Sequence, residues 1–242
     1  MLTKNQIKFI SNLKQKKYRE AARLFFVEGI KGTEELLHSD LELEHLYTTA
    51  TLTSEVPEDK VTYITEAELK KISVLTTPNT CLAVFKMPVS AFPEKEGLQL
   101  VLDDVRDPGN LGTIIRLCDW FGITNLVCSN ETVDVYNPKV VQATMGSITR
   151  VNVVYTDLEV YLSQQKQPVL GTFMDGESIY QSNLPANAVI VMGNEANGIA
   201  AKTEKYITQR IGIPRFGNLQ HTESLNVATA TAIILSEFKR ND

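Results

Sequence analysis

The 242-residue sequence predicts an α/β protein, with a small α/β domain followed by a larger domain built on a parallel sheet. Three observations predict this fold class. Short apolar runs of strand length alternate with segments of helical periodicity. In the second half, turns rich in glycine and asparagine follow the apolar runs. Residues 88–97 carry two prolines, a glycine and three charges, which is typical of an interdomain linker. The predicted domains are therefore residues 1–87 and 98–242.

The first domain is predicted from capping signals and short apolar runs. Thr3 caps a basic helix that places Ile7, Ile10 and Leu13 on one face. The sequence Thr65-Glu-Ala-Glu68 reads as a capping box that opens another helix. A further helix is predicted over 29–38, and strands are predicted over 24–27, 46–49, 61–64 and 81–85.

The second domain is more regular. Strands are predicted over 98–102, 126–128, 151–155, 169–173, 188–192 and 211–213. Helices are predicted over 110–122, from Asn137-Pro138 onward, over 158–165 and over 225–238. Residues 188–192 form the most continuous apolar run, which indicates a central, buried strand. Alternation of this kind favours a parallel sheet with helices on both faces.

Composition excludes several classes of protein. No apolar run reaches the roughly 18 residues that a membrane span needs, and the first residues carry no apolar signal segment, so we expect a cytoplasmic location. Cys81, Cys118 and Cys128 lie far apart in apolar surroundings and form no CxxC pair, which predicts buried, reduced thiols. The three histidines show no ligand spacing, so we expect no metal site.

Charge is distributed unevenly along the chain. The net charge is −5, which by itself argues weakly against a nucleic-acid partner. Residues 1–31, however, carry a net charge of +6, which leaves −11 for the remainder. A basic segment on an acidic body is typical of a phosphate-binding surface, although charge alone slightly favours a solvated helix face. Charge alone leaves both interpretations open.

Three strand-to-helix segments of the second domain carry polar residues where ligands bind open parallel sheets, at the carboxyl ends of strands. In the first, residues 104–113, Pro108 and Gly109 make a turn before Asn110, and Arg116 follows on the same helix. Helical spacing places Asn110 and Arg116 about 120° apart, so both can border a cavity without touching. A tight turn followed by a surface arginine explains the same pattern.

The second segment, residues 191–198, runs from the buried strand into Gly193, where a ligand can approach the backbone closely. Glu195 follows at the strand end, where a carboxylate is costly unless it is partnered. In the third segment, residues 211–228, Ser224 is either a helix N-cap or a binding residue. Asn226 is a poor helix former, which slightly favours a binding role for it.

Other catalytic signatures are missing from the sequence. It contains no GxGxxG fingerprint, no GxxxxGK[ST] phosphate loop and no HExxH pair. Ser224 does not lie in a GxSxG elbow, and no third partner accompanies it and His221.

Taken together, the three segments resemble the SpoU (TrmH-type) family of RNA 2′-O-methyltransferases in the SPOUT superfamily. The matching motifs are Asn110-x-Gly-x-x-x-Arg116, Gly193-x-Glu195, and Ile213-Pro214 followed by Ser224-Leu-Asn-Val227. Residues 13–19 and 26–31 are similar to the ribosomal protein L30e-like substrate-binding domain of the family. The resemblance thus covers nearly the whole chain.

The resemblance implies a fold and a chemistry. The fold is a parallel α/β sheet with a C-terminal trefoil knot, in a protein that is usually a homodimer. The cofactor is S-adenosylmethionine, and the substrate is RNA, with ribosomal RNA favoured over transfer RNA. The resemblance places the cofactor at Leu170, Gly171, Thr172, Gly193, Ile213, Pro214 and Leu225. It makes Arg116 the catalytic arginine and gives supporting catalytic roles to Asn110, Glu195, Ser224 and Asn226.

The chain also departs from the family pattern. Arg215 stands where the family commonly has methionine, and Ala196-Asn197 stands where glycine is frequent. Both changes touch the loops that are expected to line the cofactor, so they bear on its affinity; the alternative for Arg215 is that it faces RNA or a partner subunit. Two rival functions remain open, an RNA-binding protein without methyl transfer and a nucleotide-dependent enzyme acting on small molecules.

Overall fold

The structure is a computed structural model, and it describes residues 1–89, 97–217 and 224–240. Most of the predicted linker and residues 218–223 of the predicted cofactor loop therefore lie outside the described residues. Within the described ranges, no helix has the length and apolar character needed to cross a membrane.

The chain forms ten strands and nine α-helices within the described residues. The strands are β1 (Leu24–Glu28), β2 (Leu43–Thr48), β3 (Val61–Tyr63), β4 (Cys81–Lys86), β5 (Leu98–Leu102), β6 (Asn125–Ser129), β7 (Asn152–Thr156), β8 (Val169–Ser178), β9 (Ala188–Met192) and β10 (Gln209–Gly212). The helices are α1 (Lys4–Asn12), α2 (Lys16–Ala22), α3 (Ile30–Leu37), α4 (Glu66–Ile72), α5 (Pro108–Trp120), α6 (Pro138–Thr144), α7 (Leu158–Ser163), α8 (Ala201–Glu204) and α9 (Val227–Phe238).

Two compact units divide the chain. The first comprises Met1–Val89 together with Asp134–Thr149, and the second comprises Ser90–Val133 together with Arg150–Asp242. The linker predicted at residues 88–97, between the two predicted domains, stays a prediction. The structure adds that residues 134–149, which the sequence analysis placed in the second domain, pack within the first unit.

The first unit is built on a four-stranded mixed sheet in the order β1-β4-β2-β3. Successive residues of β1 belong to two different core clusters, Phe25 and Val27 to one and Leu24 and Phe26 to the other. This alternation follows from the two-residue repeat of a strand, and it shows that apolar residues pack on both faces of the sheet. The predicted caps are confirmed, because Thr3 and Thr65 each form a capping box.

Residues 134–149 pack against the first half of the chain through apolar side chains and one ion pair. The Tyr136 ring lies 4.7 Å from the Phe25 ring, and Val141 belongs to the same core cluster. Asp134 pairs with the guanidinium of Arg19, a side chain of which only 2% is exposed. Arg19 also donates to the carbonyl oxygens of Leu13 and Lys14, each at 2.9 Å. Sequence order did not reveal this packing because it depends on contacts between distant residues.

The second unit contains a six-stranded sheet in the order β10-β8-β9-β5-β6-β7, and every pairing in it is parallel. The predicted parallel sheet is therefore confirmed. All five residues of β9 are buried and the strand lies inside the sheet, as its continuous apolar run predicted. The order brings β10, β8 and β9 side by side, although chain order separates β8 from β10 by a strand.

The pairing of β8 with β10 is interrupted. Arg210 pairs with Gly171, whereas the next residue, Ile211, pairs with Glu177. At the interruption the two backbones approach closely, and a Cβ atom at Gly176 would lie 2.4 Å from the Ile211 carbonyl carbon. Glycine is therefore required at this position. Beyond the interruption, Glu177 and Ser178 pair with Ile211 and Gly212, so β8 extends to Ser178, past the predicted end at residue 173.

Candidate functional site

The first turn of α5 is built to hold Asn110. The carboxylate of Asp107 caps the helix by accepting from the Asn110 backbone N–H at 2.8 Å, and Pro108 occupies the first helical position. Asn110 thereby stands in the first turn with its side chain half-buried. The predicted start of the helix at residue 110 is two residues late, although the same Asx-Pro signal was recognised at Asn137.

A chain of hydrogen bonds joins three of the predicted site residues. The Asn110 amide nitrogen donates to the carboxylate of Glu195, which follows β9. The Asn110 amide oxygen accepts from the Asn226 amide nitrogen at 2.9 Å. The polar turn after β9, the start of α5 and the start of α9 are therefore linked through one amide group. Glu195 has the partner that its position at a strand end requires.

Asn226 has a second role, because it is the N-cap of α9. Its side-chain oxygen accepts from the backbone N–H groups of Ala228 and Thr229 at 3.0 and 3.2 Å. The capping bonds fix which end of the amide is the acceptor, so the nitrogen is left to donate to Asn110. Asn226 is a poor helix former, but it is among the best N-caps, which explains its place at this helix start.

Ser224 does not cap the helix, contrary to one of the two alternatives that the sequence left open. It lies two residues before Asn226 and is exposed. Among the described contacts, none joins Ser224 to Asn110, Glu195 or Asn226. Its predicted catalytic role remains a prediction.

The turn after β9 is held by residues that the sequence analysis did not single out. The Asn194 amide donates to the Asp104 carbonyl oxygen at 2.7 Å, and its oxygen accepts from the backbone N–H groups of Ala196 and Asn197. Asp103, which is 3% exposed, accepts from the Ala200 N–H at 2.8 Å. An Asn-rich turn and two aspartates directly after β5 were the signals available in the sequence.

Gly193 is explained by the packing of this turn. A Cβ atom there would lie 2.3 Å from the Gly198 carbonyl carbon and 2.4 Å from the Ile199 nitrogen. Asn194 and Gly198 also exchange backbone hydrogen bonds at 3.0 and 2.8 Å. The sequence predicted that the missing side chain lets a ligand approach the backbone. In the structure, that space is filled by the chain itself.

Arg116 lies further along α5 and is exposed. Among the described residues it forms no ion pair or hydrogen bond, with Asn110 or with any other residue. A guanidinium that is not engaged by the protein keeps all five of its N–H donors available for a phosphate or hydroxyl group.

The predicted cofactor positions follow three neighbouring strands. Leu170 and Gly171 are buried within β8, and the Thr172 hydroxyl donates to the Val191 carbonyl oxygen of β9 at 3.1 Å. Ile213 and Pro214, directly after β10, are half-buried, whereas Leu225 is 46% exposed. A Cβ atom on Gly171 would lie 2.3 Å from the Ile207 side chain. The sheet order thus places the three strands that carry or precede most of these positions side by side.

The three thiols are free and buried, as predicted. Burial raises the pKa of the Cys118 and Cys128 thiols well above the ordinary range, so neither is a nucleophile at neutral pH. Within the described ranges, no group of three or more His, Cys, Asp or Glu residues is arranged to hold a metal ion.

Comparison with known families agrees with the motifs. The family model described as "SpoU rRNA Methylase family" matches residues 97–236, more than half of the chain. The chain belongs to the SpoU rRNA methylase family. A second model, described as "MRM3-like substrate binding domain", matches residues 4–83. The two matched regions together contain every predicted site residue and the basic N-terminal helices of this SpoU protein.

Relatives cover the full length of this SpoU-family chain. The 23S rRNA (guanosine(2553)-2′-O)-methyltransferase RlmP of Bacillus subtilis is 30% identical, over 96% of this chain and 95% of its own length. A TrmH-family structure from Porphyromonas gingivalis is 41% identical with a TM-score of 0.89, covering 100% of both chains. The AdoMet-bound rRNA methyltransferase of Sinorhizobium meliloti is 28% identical with a TM-score of 0.85, covering 99% of this chain and 96% of that one.

Proposed function

We propose that this protein transfers a methyl group from S-adenosylmethionine to a ribose 2′-hydroxyl of ribosomal RNA. The observation that carries the proposal is the hydrogen-bonded chain Glu195–Asn110–Asn226, which assembles residues of three separate family motifs. The full-length relative from Bacillus subtilis, whose name gives 23S rRNA as its substrate, supports ribosomal over transfer RNA.

The ends of β8, β9 and β10 fit the proposed cofactor. Strand ends of a parallel sheet present unpaired backbone donors and acceptors, which suit the polar groups of a nucleoside and an amino acid. Half-buried Ile213 and Pro214 and exposed Leu225 supply apolar surface beside them. We assign cofactor binding to the seven positions named from the resemblance. When bound, the sulfonium cofactor supplies an electrophilic methyl group.

The residues of the chain must orient the ribose hydroxyl and assist removal of its proton. Arg116 is a poor general base, because a guanidinium stays protonated at neutral pH and has no lone pair to offer. We propose that Arg116 binds the phosphate of the target nucleotide and polarises the hydroxyl, while a substrate phosphate or water accepts the proton. Its guanidinium is exposed and, in the part of the chain that the structure describes, forms no ion pair or hydrogen bond, which supports this role.

The amide chain has a positioning role in this proposal. Glu195 and Asn226 fix both ends of the Asn110 amide, which holds the first turn of the helix that carries Arg116. A small shift of that helix would displace the guanidinium from the ribose. We therefore treat Asn110, Glu195 and Asn226 as positioning residues, and Ser224 as a residue available to the substrate or cofactor.

The finer features of the fold belong to the same proposal. We propose a trefoil knot in the second unit and an L30e-like RNA-binding domain over residues 1–87, supported by the family model that matches residues 4–83. We also propose a homodimer in the cytoplasm that needs neither metal nor membrane. The net charge of +6 over residues 1–31 supports contact of the first domain with RNA phosphates.

The test combines methyl transfer with chemical mapping. The full-length protein is incubated with 23S rRNA transcribed in vitro and methyl-labelled cofactor, and labelled nucleotides are located by their resistance to alkaline hydrolysis, which a 2′-O-methyl group confers. We expect label on a ribose, loss of transfer in Arg116→Ala and in Arg116→Lys, and parent activity in the matched control Arg240→Ala, which changes an exposed arginine just after α9. Label on a base would overturn the ribose assignment, and parent activity in Arg116→Ala would overturn the role of Arg116.

Calorimetry separates the proposal from its rivals. Binding of S-adenosylmethionine by the protein without RNA is expected. An RNA-binding protein without methyl transfer would bind RNA but show no heat with the cofactor. An enzyme acting on small molecules would show no retention on RNA at low salt.

A further inference from the structure

Trp120 is the only tryptophan of the chain, and it is 83% exposed at the end of α5. Tryptophan is one of the more buried residue types on average, so a side chain left almost wholly in water requires an explanation. Among the described residues, no hydrogen bond, ring contact or cation–π contact involves Trp120. Most of the indole surface is therefore left available to a ligand.

The position of Trp120 relates it to Arg116. The two residues are four positions apart on α5 and therefore share one face, about 6 Å apart along the axis. Helical side chains lean toward the N-terminus of their helix, so the indole leans toward the turn that bears Arg116. Thr113, three residues before Arg116, is exposed on the same side.

The chemistry of this face suits single-stranded nucleic acid. A guanidinium binds a phosphate, and a flat aromatic ring beside it stacks on an unpaired base. A subunit interface would require a different surface, because the buried centre of such an interface is mostly apolar. Around Trp120 the exposed neighbours on α5 are Thr113 and Arg116, and the adjacent residues Leu117 and Phe121 are already half-buried.

We propose that Trp120 is a specificity-determining residue that stacks on an unpaired base flanking the nucleotide held by Arg116. The inference rests on the proposed function and deepens it, since it names the class of substrate as RNA with an unstacked base beside the modified ribose. Stacking of this kind requires a loop or bulge, because bases within a duplex are covered by their neighbours on both faces.

A direct test uses the fluorescence of the single tryptophan. Titration of the full-length protein with a short single-stranded oligoadenylate is expected to quench the emission of Trp120, because stacking brings a base onto the ring. The same sequence in a duplex is expected to quench it far less. Equal quenching by both forms, or no quenching by the single strand, would overturn the inference. So would an emission shift that follows protein concentration without RNA, which would place Trp120 in a subunit interface.

Kinetics on 23S rRNA transcript provide the second test. We expect Trp120→Leu to raise the KM for RNA by roughly 5- to 150-fold, the range that corresponds to loss of one stacked base, with little change in kcat. Trp120→Phe keeps a flat ring and should recover most of the loss, whereas a purely apolar contact would be served equally well by leucine. Val160→Ala, which shortens an exposed side chain of α7, is the matched control.

The two proposals fail in different ways. Wild-type protein that methylates no RNA would overturn the proposed function. Wild-type protein that methylates RNA, together with a Trp120→Leu variant of unchanged KM for RNA, would overturn only the role of Trp120. Size-exclusion chromatography with light scattering should give the same molar mass for wild type and both variants, and a lower mass for Trp120→Leu would contradict the RNA assignment.

Discussion

Replacing Asn226 by aspartate removes one hydrogen-bond donor from the site while it keeps the cap of α9. The Asn226 oxygen accepts from the Ala228 and Thr229 N–H groups, and its nitrogen donates to the Asn110 oxygen at 2.9 Å. Aspartate keeps the two capping bonds from Ala228 and Thr229, but it has no N–H group to donate to Asn110. The substitution therefore separates the stability of the helix from the geometry of the site.

The expected effect on stability is small. Aspartate caps helices about as well as asparagine, and a negative charge at a helix N-terminus is favourable by about 0.3–1 kcal/mol. Loss of the exposed bond to Asn110 costs about 0.5–1.5 kcal/mol, so the two effects nearly cancel. Asn226→Ala loses both the cap and the bond. It should therefore be less stable than Asn226→Asp by about 1 kcal/mol, or about 2–4 °C in Tm.

The expected effect on activity is large. In Asn226→Asp, a carboxylate oxygen of residue 226 faces the side-chain oxygen of Asn110, and both atoms are acceptors. If the Asn110 amide flips to donate to the new carboxylate, its oxygen faces the Glu195 carboxylate instead. In either arrangement one of the two side-chain contacts of Asn110 is repulsive, so the first turn of α5 must shift. A displacement of about 1 Å at a reacting centre costs up to about 100-fold in rate, and we expect kcat to fall by about 10- to 100-fold.

The assay pairs thermal unfolding, followed by circular dichroism, with methyl transfer to 23S rRNA transcript. The matched control is Asn137→Asp, which changes the same cap residue at α6 in the first unit and should alter neither quantity. Parent activity in Asn226→Asp would refute the positioning role of the amide chain. A fall in Tm as large as that of Asn226→Ala would refute the assignment of Asn226 as the cap.

Three further predictions concern packing. Gly193→Ala should destabilise the second unit by about 1–3 kcal/mol and abolish methyl transfer, because its Cβ would meet the Gly198 backbone at 2.3 Å; unchanged urea midpoints would contradict this. Asp134→Ala should cost about 3–5 kcal/mol, since it leaves the buried Arg19 guanidinium without its carboxylate, and a loss below 1 kcal/mol in urea titration would show that the pair is dispensable. The three thiols should resist alkylation in the native protein and react after unfolding, because burial raises the pKa of each; mass spectrometry would reveal any thiol that is modified while the protein is folded.

Local sequence signals predicted most of the secondary structure. The capping boxes at Thr3 and Thr65 and the Asn137-Pro138 pair marked helix starts that the structure confirms. These signals work because a cap is satisfied by residues within the same turn. Helix α2 was not predicted, since its N-cap Gln15 makes no side-chain capping bond. Helix α8 was not predicted either, because four residues are too few to show a period.

The candidate site was predicted as residue types but not as a network. The sequence supplied Asn110, Glu195 and Asn226, and the motif resemblance grouped them. It did not reveal that the Asn110 amide bridges the other two, nor that Asn226 is both a cap and a donor. Asn194, which holds the turn after β9, was missed because an asparagine in a turn is common without any such role.

The sequence by itself determined where most of the strands and helices form, that the second sheet is parallel, and which family the motifs resemble. Periodicity, caps and turn residues act over a few neighbouring residues, and they can therefore be recognised in the sequence. Only the tertiary structure decided that β10 lies beside β8, that residues 134–149 pack with the first unit, and that one amide links three motifs. These features depend on contacts between residues up to 116 positions apart, and such contacts leave no local pattern.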